Sequence, residues 1–171
     1  MSRDVDIGRM ALIALMGALI FVLTVLVQIP LPATGYIHLG DAAITFTAYA
    51  FGPWVAMFAG GMGTALADIL AYPQYAVYSL LIHGAQGMAM GWIVRKHISP
   101  MTVLLSVVIG TAIIVAGYFA AETLMYGIGV ATSGLIFNTL QGISGGVIGV
   151  PLYLAVRRAY PPLETRSRRA E

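Results

Sequence analysis

The chain has 171 residues, of which 59% are hydrophobic and only 9% are charged, and its mean hydropathy is +0.88. Since ordinary soluble domains carry about 25% charged residues, we predict an integral membrane protein with room for about six spans of ~20 residues. The lack of cysteine excludes disulfides, thiolate metal sites and cysteine nucleophiles. A pI near 9.0 suits anionic lipid headgroups better than nucleic acid.

Apolar runs separated by turn-forming residues predict an all-α, polytopic membrane protein with six transmembrane helices. The first span covers residues 8–29, and an outer loop over 30–39 follows, beginning at Pro30 and Pro32. A short second span over 40–51 ends at a tight inner turn, Gly52-Pro53. The remaining spans are predicted over 54–70, 76–94, 100–125 and 135–156, with an outer turn at 72–75 and an outer loop at 127–134.

The basic residues predict the orientation of these spans. All nine lie in the tails or in one connector: Arg3, Arg9, Arg95, Lys96, Arg157, Arg158, Arg166, Arg168 and Arg169. Short loops rich in Lys and Arg stay in the cytoplasm, so we expect both termini and the 95–97 connector there. The chain is then a single transmembrane domain over 1–171 with a basic cytoplasmic tail over 159–171.

Small residues recur at four-residue spacing, which lets helix backbones approach closely in lipid. We expect most of these stripes to pack within the molecule: Ala59/Gly63/Ala67, Gly87/Gly91, Gly142/Gly146 and Gly145/Gly149. The pair Ala14/Ala18 on the first span is open to a second interpretation, in which it contacts the helices of a partner protein.

Three acids, Asp41, Asp68 and Glu122, lie in the apolar body with no basic residue near them in sequence. An ionisable side chain in a span is tolerated where it faces a cavity, a ligand or a partner group. Asp41 could instead cap the second helix, Asp68 could bond a neighbouring helix, and Glu122 could be solvated at the interface.

Amides, histidines and tyrosines accompany these acids in the outer half. We predict one ligand pocket there, roofed by the 30–39 loop and the 72–75 turn. Its predicted binding residues are Tyr36, His38, Asp41, Asp68, Tyr75, His83, Gln86, Glu122, Asn138 and Gln141. Without Lys or Arg, such a pocket suits a neutral or cationic aromatic solute and suits phosphorylated or carboxylate ligands poorly.

Enzyme and cofactor motifs are missing. The histidines and acids match no zinc spacing, HExxH and G-x-S-x-G are absent, and no Walker A sequence is present. We therefore predict no catalytic residues, no metal and no cofactor, and the chain cannot energise transport by itself. An intramembrane enzyme of the outer leaflet and a ligand-free membrane scaffold remain the alternatives.

Several segments carry a family resemblance that covers nearly the whole chain in order. Ile37-His-Leu-Gly-Asp-Ala42, Phe51-Gly-Pro53, Gly60-Gly-Met-Gly-Thr-Ala-Leu-Ala-Asp68 and Gly117-Tyr-Phe-Ala-Ala-Glu122 are the main ones. The chain resembles the substrate-binding S components of energy-coupling factor (ECF) vitamin transporters.

The resemblance implies a six-helix subunit of an ABC-type importer in the prokaryotic cell membrane that binds a water-soluble vitamin or precursor with high affinity. It also implies docking on a transmembrane T component driven by two cytoplasmic ATPases, with Ala14 and Ala18 as the docking motif. The acidic outer half favours a protonatable heterocycle, such as a B6 vitamer or a thiamin-related pyrimidine, while riboflavin and queuosine precursors stay open.

Overall fold

The computed structural model describes residues 7–31 and 35–161. From residue 162 the predicted basic tail lies outside the described residues, as do Arg3 and Pro32. The described part contains five α-helices, α1 to α5, one short 3₁₀ helix and two strands. In chain order these are α1 (Ile7–Leu26), β1 (Gln28–Pro30), β2 (Tyr36–His38), α2 (Gly40–Ala71), the 3₁₀ turn (Pro73–Tyr75), α3 (Ala76–Val94), α4 (Pro100–Tyr126) and α5 (Ile128–Ala159).

Helix α2 folds back on itself at Gly52. That residue has φ +82° and ψ −178°, a conformation that glycine adopts readily, and Pro53 then suits the first position of a new helical segment. The Ile44 side chain lies 3.4 Å from the place where a Cβ on Gly60 would sit. Sixteen residues of straight helix would separate these positions by about 24 Å. Residues 40–51 and 53–71 therefore run antiparallel, in agreement with the predicted turn at Gly52-Pro53.

Glycines set how closely the helices approach. A Cβ on Gly91 would lie 2.6 Å from Pro53 Cα, and one on Gly87 would lie 2.7 Å from the Ala56 carbonyl oxygen, so α3 packs backbone to backbone on α2. A Cβ on Gly145 would lie 2.6 Å from Asp41 Cβ. The stripes on α3 and α5 thus pack inside the molecule, as their spacing predicts.

The second segment of α2 also packs on α1. A Cβ on Gly63 would lie 2.7 Å from the Gly17 carbonyl oxygen and 2.9 Å from the Ile20 side chain. Ile20 is fully buried between these helices, together with Ala59. The Ala59/Gly63/Ala67 stripe is therefore an internal contact.

One feature of the outer loops was predicted wrongly, and another was not predicted. The expected loop over 127–134 is helical, because Gly127 alone reverses the chain with φ +88° and α5 begins at the next residue. The predicted 30–39 loop belongs to a connection with local structure of its own. It contains a two-stranded antiparallel sheet in which Gln28 pairs with His38 and Pro30 with Tyr36. Three-residue strands are too short to show an alternating pattern in sequence.

Four of the described helices, α1, α2, α4 and α5, are long and apolar enough to cross a membrane. The β1–β2 hairpin, the 3₁₀ turn and Gly127 all lie at one end of the bundle, which we call the hairpin end. Gly52 and the α3–α4 connector lie at the opposite end, where Ser99 caps α4 by accepting a 3.2 Å hydrogen bond from the Thr102 backbone N–H.

Candidate functional site

A pocket lies at the hairpin end, between the β1–β2 hairpin and helices α2 to α5. Its open space is about 20 Å³, which is room for about one water molecule. The pocket is thus nearly filled by its own side chains. These lining residues are Leu31, Gly35, Tyr36, His38, Asp68, Tyr75, Ser79, Tyr118, Glu122, Asn138 and Gln141.

The β1–β2 hairpin forms the roof and is bonded to two helices. The Tyr36 hydroxyl donates a 2.6 Å hydrogen bond to Asp68 Oδ1 on α2. The His38 backbone N–H donates a 3.2 Å bond to Gln141 Oε1 on α5. The Tyr36 ring also lies 5.4 Å from the Tyr72 ring, between centroids. The roof is thus held by hydrogen bonds to both α2 and α5.

Both titratable residues of β2 are neutral at physiological pH. Burial, with the Asp68 carboxylate as a second cause, raises the pKa of the Tyr36 phenol, so the phenol stays a donor. Loss of hydration lowers the pKa of the His38 imidazole to about 4, although the nearby Asp41 opposes this shift. His38 Nδ1 accepts a 3.1 Å hydrogen bond from the Gly40 backbone N–H, which leaves the proton of the neutral ring on Nε2.

Glu122 on α4 enters the pocket beside α5. The residue is only 4% exposed, so the interpretation of Glu122 as a solvated interface residue was wrong. Its Oε2 atom has no hydrogen-bond partner within the described residues. A Cβ on Gly134 would lie 2.5 Å from this oxygen and 3.4 Å from the Asn138 Nδ2 atom. The missing side chain at Gly134 is what gives both polar groups their room.

Beneath the pocket lies a buried polar layer built around His83. Its Nδ1 atom is 2.9 Å from Gln86 Oε1 and 3.0 Å from Asp41 Oδ1, and its Nε2 atom is 3.0 Å from the Tyr118 hydroxyl oxygen. Tyr118 also shares a 2.6 Å hydrogen bond with Ser79. The cap interpretation of Asp41 was wrong, because the helix begins before it and the Asp41 side chain makes no cap bond. The carboxylate turns inward to His83 instead.

The structure brings all ten predicted binding residues to one end of the bundle, in two layers. Seven line the pocket: Tyr36, His38, Asp68, Tyr75, Glu122, Asn138 and Gln141. Three lie below it, namely Asp41, His83 and Gln86, each at most 1% exposed. Direct ligand contact by any of the ten stays a prediction.

Two polar lining residues, Ser79 and Tyr118, were not among the ten predicted binding residues. Ser79 precedes His83 by four positions, and Tyr118 precedes Glu122 by four positions. Residues at this spacing share one face of a helix, so the signal was present in the sequence.

The chemistry of the pocket is acidic, amidic and aromatic. No lysine or arginine lines it, and the described residues contain no group of three or more histidine, cysteine, aspartate or glutamate side chains suited to a metal ion. The arrangement can accept hydrogen bonds from a donor-rich or cationic ring, and can pack that ring between tyrosines.

A second, apolar depression lies on the outside of α1. Ala14 and Ala18 are exposed there, and the groove between α1 and the second segment of α2 has a volume of about 500 Å³. Its lining residues are Ile13, Ala14, Gly17, Ala18, Phe21, Met62, Gly63, Leu66, Ile69 and Leu70. Of the small-residue positions predicted from sequence, this pair alone was assigned to a partner, and it does face outward.

Known proteins resemble this chain in sequence and in fold. Over 145 residues the chain is 40% identical to an uncharacterised protein of Pyrococcus woesei, covering 84% of this chain and 98% of that protein. Over 156 residues it is 35% identical to the thiamine precursor transporter HmpT of Lactococcus lactis subsp. cremoris (strain MG1363), covering 90% of each chain. A solved S component of a bacterial ECF transporter superposes with a TM-score of 0.73 at 18% identity, over 89% of this chain and 96% of that one.

A family model described as the S component of ECF-type riboflavin transporters matches residues 5–158. Such S components bind small, vitamin-like substrates and work in the membrane with a T component and ATPases. The protein is thus a substrate-binding transport subunit rather than an enzyme, and a multi-pass protein of the cell membrane. The chain belongs to the family of ECF-type riboflavin transporter S components.

Proposed function

We propose that this S component binds a thiamine-related pyrimidine, with high affinity, in the pocket at the hairpin end. The family model is named for riboflavin, whereas the relative from Lactococcus lactis is named for a thiamine precursor. These names point to different substrates, so the choice between them rests on the chemistry of the pocket.

The observation that carries the proposal is the buried Glu122 Oε2 atom, which lies beside Asn138 and has no hydrogen-bond partner among the described residues. A buried carboxylate oxygen without a donor is costly, and a ligand amino group would compensate it. The aminopyrimidine half of thiamine carries an amino donor next to a ring nitrogen acceptor. A carboxyl group and an amide complement such an edge, while Tyr36 and Tyr75 supply aromatic faces for the ring.

The size of the pocket favours one ring over three. With only about 20 Å³ open, every ligand must push side chains aside, and the displacement grows with ligand size. A hydroxymethylpyrimidine needs far less expansion than the three fused rings and sugar-alcohol chain of riboflavin. The same argument leaves a single-ring B6 vitamer as the main competitor.

We further propose that six helical segments each cross the membrane, counting the two halves of α2 separately. In this topology the hairpin end faces outward, and both termini and the 95–97 connector face the cytoplasm. The groove at Ala14 and Ala18 would receive helices of the T component, since small side chains permit close backbone contact in lipid. Two ATPases bound to the T component would supply the energy.

Isothermal calorimetry on the detergent-solubilised protein tests the substrate. Hydroxymethylpyrimidine, pyridoxine and riboflavin are titrated separately, and the first should bind tightest, with a sub-micromolar Kd, or about −8 kcal/mol or better. Preference for riboflavin or pyridoxine would show that the substrate assignment is wrong. Binding of the pyrimidine that is unaffected by Glu122→Gln would show that the ligand lies elsewhere.

A further inference from the structure

The geometry of the buried layer under the pocket defines which group donates and which accepts in each of its hydrogen bonds. His83 is fully buried, and Nδ1 faces two acceptors, Gln86 Oε1 at 2.9 Å and Asp41 Oδ1 at 3.0 Å. A nitrogen between two acceptor oxygens carries a proton. The state of the other nitrogen, Nε2, then decides which way the Tyr118 hydroxyl points.

Charge balance decides the state of Nε2. Asp41 is 1% exposed, and neither of its oxygens has a partner in hydrogen-bond geometry within the described residues. A buried carboxylate persists when it is paired with a cation, and the His83 ring is the group at ion-pair distance. A cationic imidazole has protons on both nitrogens, so Nε2–H donates to the Tyr118 oxygen 3.0 Å away.

The groups around His83 are consistent with this pairing. Asp41 and Asp68 face it from α2, Tyr118 faces it from α4, and Gln86 is one turn along α3. From β2 the His38 ring faces it at 5.3 Å between centroids, and His38 is neutral because its pKa is about 4. The described surroundings of His83 therefore hold two carboxylates and no competing positive charge.

We propose that Asp41 and His83 are positioning residues, which orient the Tyr118 hydroxyl toward Ser79 and the Ser79 hydroxyl toward Asp68 on the pocket wall. Tyr118 accepts a hydrogen bond from His83 Nε2–H and donates one to the Ser79 hydroxyl oxygen, 2.6 Å away. Ser79 in turn faces Asp68, which also receives the Tyr36 hydroxyl at 2.6 Å. Neither Asp41 nor His83 touches the ligand.

This direction has a consequence for specificity. Two donors, Tyr36 and Ser79, occupy Asp68, whereas Glu122 Oε2 has no partner within the described residues. Glu122 is then the carboxylate that accepts the ligand amino group, and Asp68 mainly holds the roof. This consequence rests on the proposed function, while the proton placement on His83 does not.

Nitrogen-15 NMR of histidine-labelled, full-length protein in detergent tests the proton placement without any ligand. The chain has three histidines, so the signal that disappears in His83→Gln belongs to His83. If His83→Gln fails to fold, the variants His38→Gln and His97→Gln identify the other two signals, and the remaining signal is that of His83. Near pH 7 both ring nitrogens of His83 should carry protons, and Asp41→Asn should remove one of them. A neutral ring with one bare nitrogen in the unsubstituted protein would overturn the proposal.

A ligand measurement tests the positioning role separately, with hydroxymethylpyrimidine as the probe. His83→Gln and Tyr118→Phe should each weaken binding roughly 10-fold, and the double variant should be no weaker than the worse single variant because the two act in series. If the double variant lost affinity by the product of the two single losses, His83 would not act through Tyr118. If the unsubstituted protein failed to bind the probe, the proposed substrate would be wrong, and the NMR result would still decide the proton placement.

Discussion

Gly134→Ala should separate ligand binding from folding at the candidate pocket. Gly134 lies in α5, and a Cβ there would lie 2.5 Å from Glu122 Oε2 but 3.4 Å from the next nearest group, Asn138 Nδ2. The atom in the way is the end of a flexible side chain, so the carboxylate can move aside at little cost. Alanine is also the better helix former, by about 1 kcal/mol.

The magnitude follows from these distances. Ordinary contact begins near 3.4 Å, so the carboxylate oxygen must retreat by roughly 1 Å, which is enough to break a hydrogen bond to a fixed ligand group. Losing one such bond to a charged acceptor costs about 1.5–3 kcal/mol, or roughly 10- to 150-fold in affinity. Thermal stability should stay equal or rise slightly.

Calorimetry with hydroxymethylpyrimidine and a thermal unfolding scan in detergent measure the two effects. Gly129→Ala is the matched control, since Gly129 lies in the same helix and a Cβ there would meet no described residue within 4 Å. The control should bind like the unsubstituted protein. Unchanged affinity in folded Gly134→Ala protein would refute the reasoning that Glu122 contacts the ligand.

Three further predictions concern topology, docking and pH. Single cysteines at positions 74 and 97 should react with membrane-impermeant reagents from opposite sides, Gln74→Cys from outside and His97→Cys from inside. Labelling of His97→Cys from outside would show that the proposed orientation is wrong. Replacing Ala14 and Ala18 together by leucine should abolish co-purification with the T component and uptake but leave ligand affinity unchanged, and equal loss of solitary binding would show that the pair packs internally. The His38 pKa is about 4 in the folded protein, against an ordinary value of 6.5. Between pH 6.5 and pH 4, His38 is therefore protonated in the unfolded chain but not in the folded protein. Stability should therefore fall by up to about 3 kcal/mol as pH drops from 7 to 4, and His38→Gln should lose that part of the slope, as unfolding scans across pH would show.

The spacing of apolar and small residues predicted most of the fold. Gly87, Gly91 and Gly145 lie at helix contacts because close packing in lipid admits few other residues, and that demand is visible in sequence. Two local features were not visible. Gly127 ends α4 and leads directly into α5, yet a cluster of glycines after it looks like a loop. The three-residue strands are held by pairing and by the bond from His38 to Gln141, which are contacts across the chain.

The site was predictable as a set of residues but not as an arrangement. Each acid was conspicuous because charge inside a span is rare, and all three lie at the hairpin end. Depth within the bundle depends on helix rotation, which the weak periodicity of an apolar helix does not define. Asp41 and His83 were therefore predicted together with the lining residues, whereas in the structure they lie outside the pocket lining, and their contact with a ligand stays a prediction.

Mass spectrometry of small molecules that co-purify with the detergent-solubilised protein tests the central claim most directly. The unsubstituted protein should carry a thiamine-related pyrimidine, and folded Glu122→Gln protein prepared in parallel should carry little or none. A flavin in its place, or an equal amount of the pyrimidine on both proteins, would contradict the account.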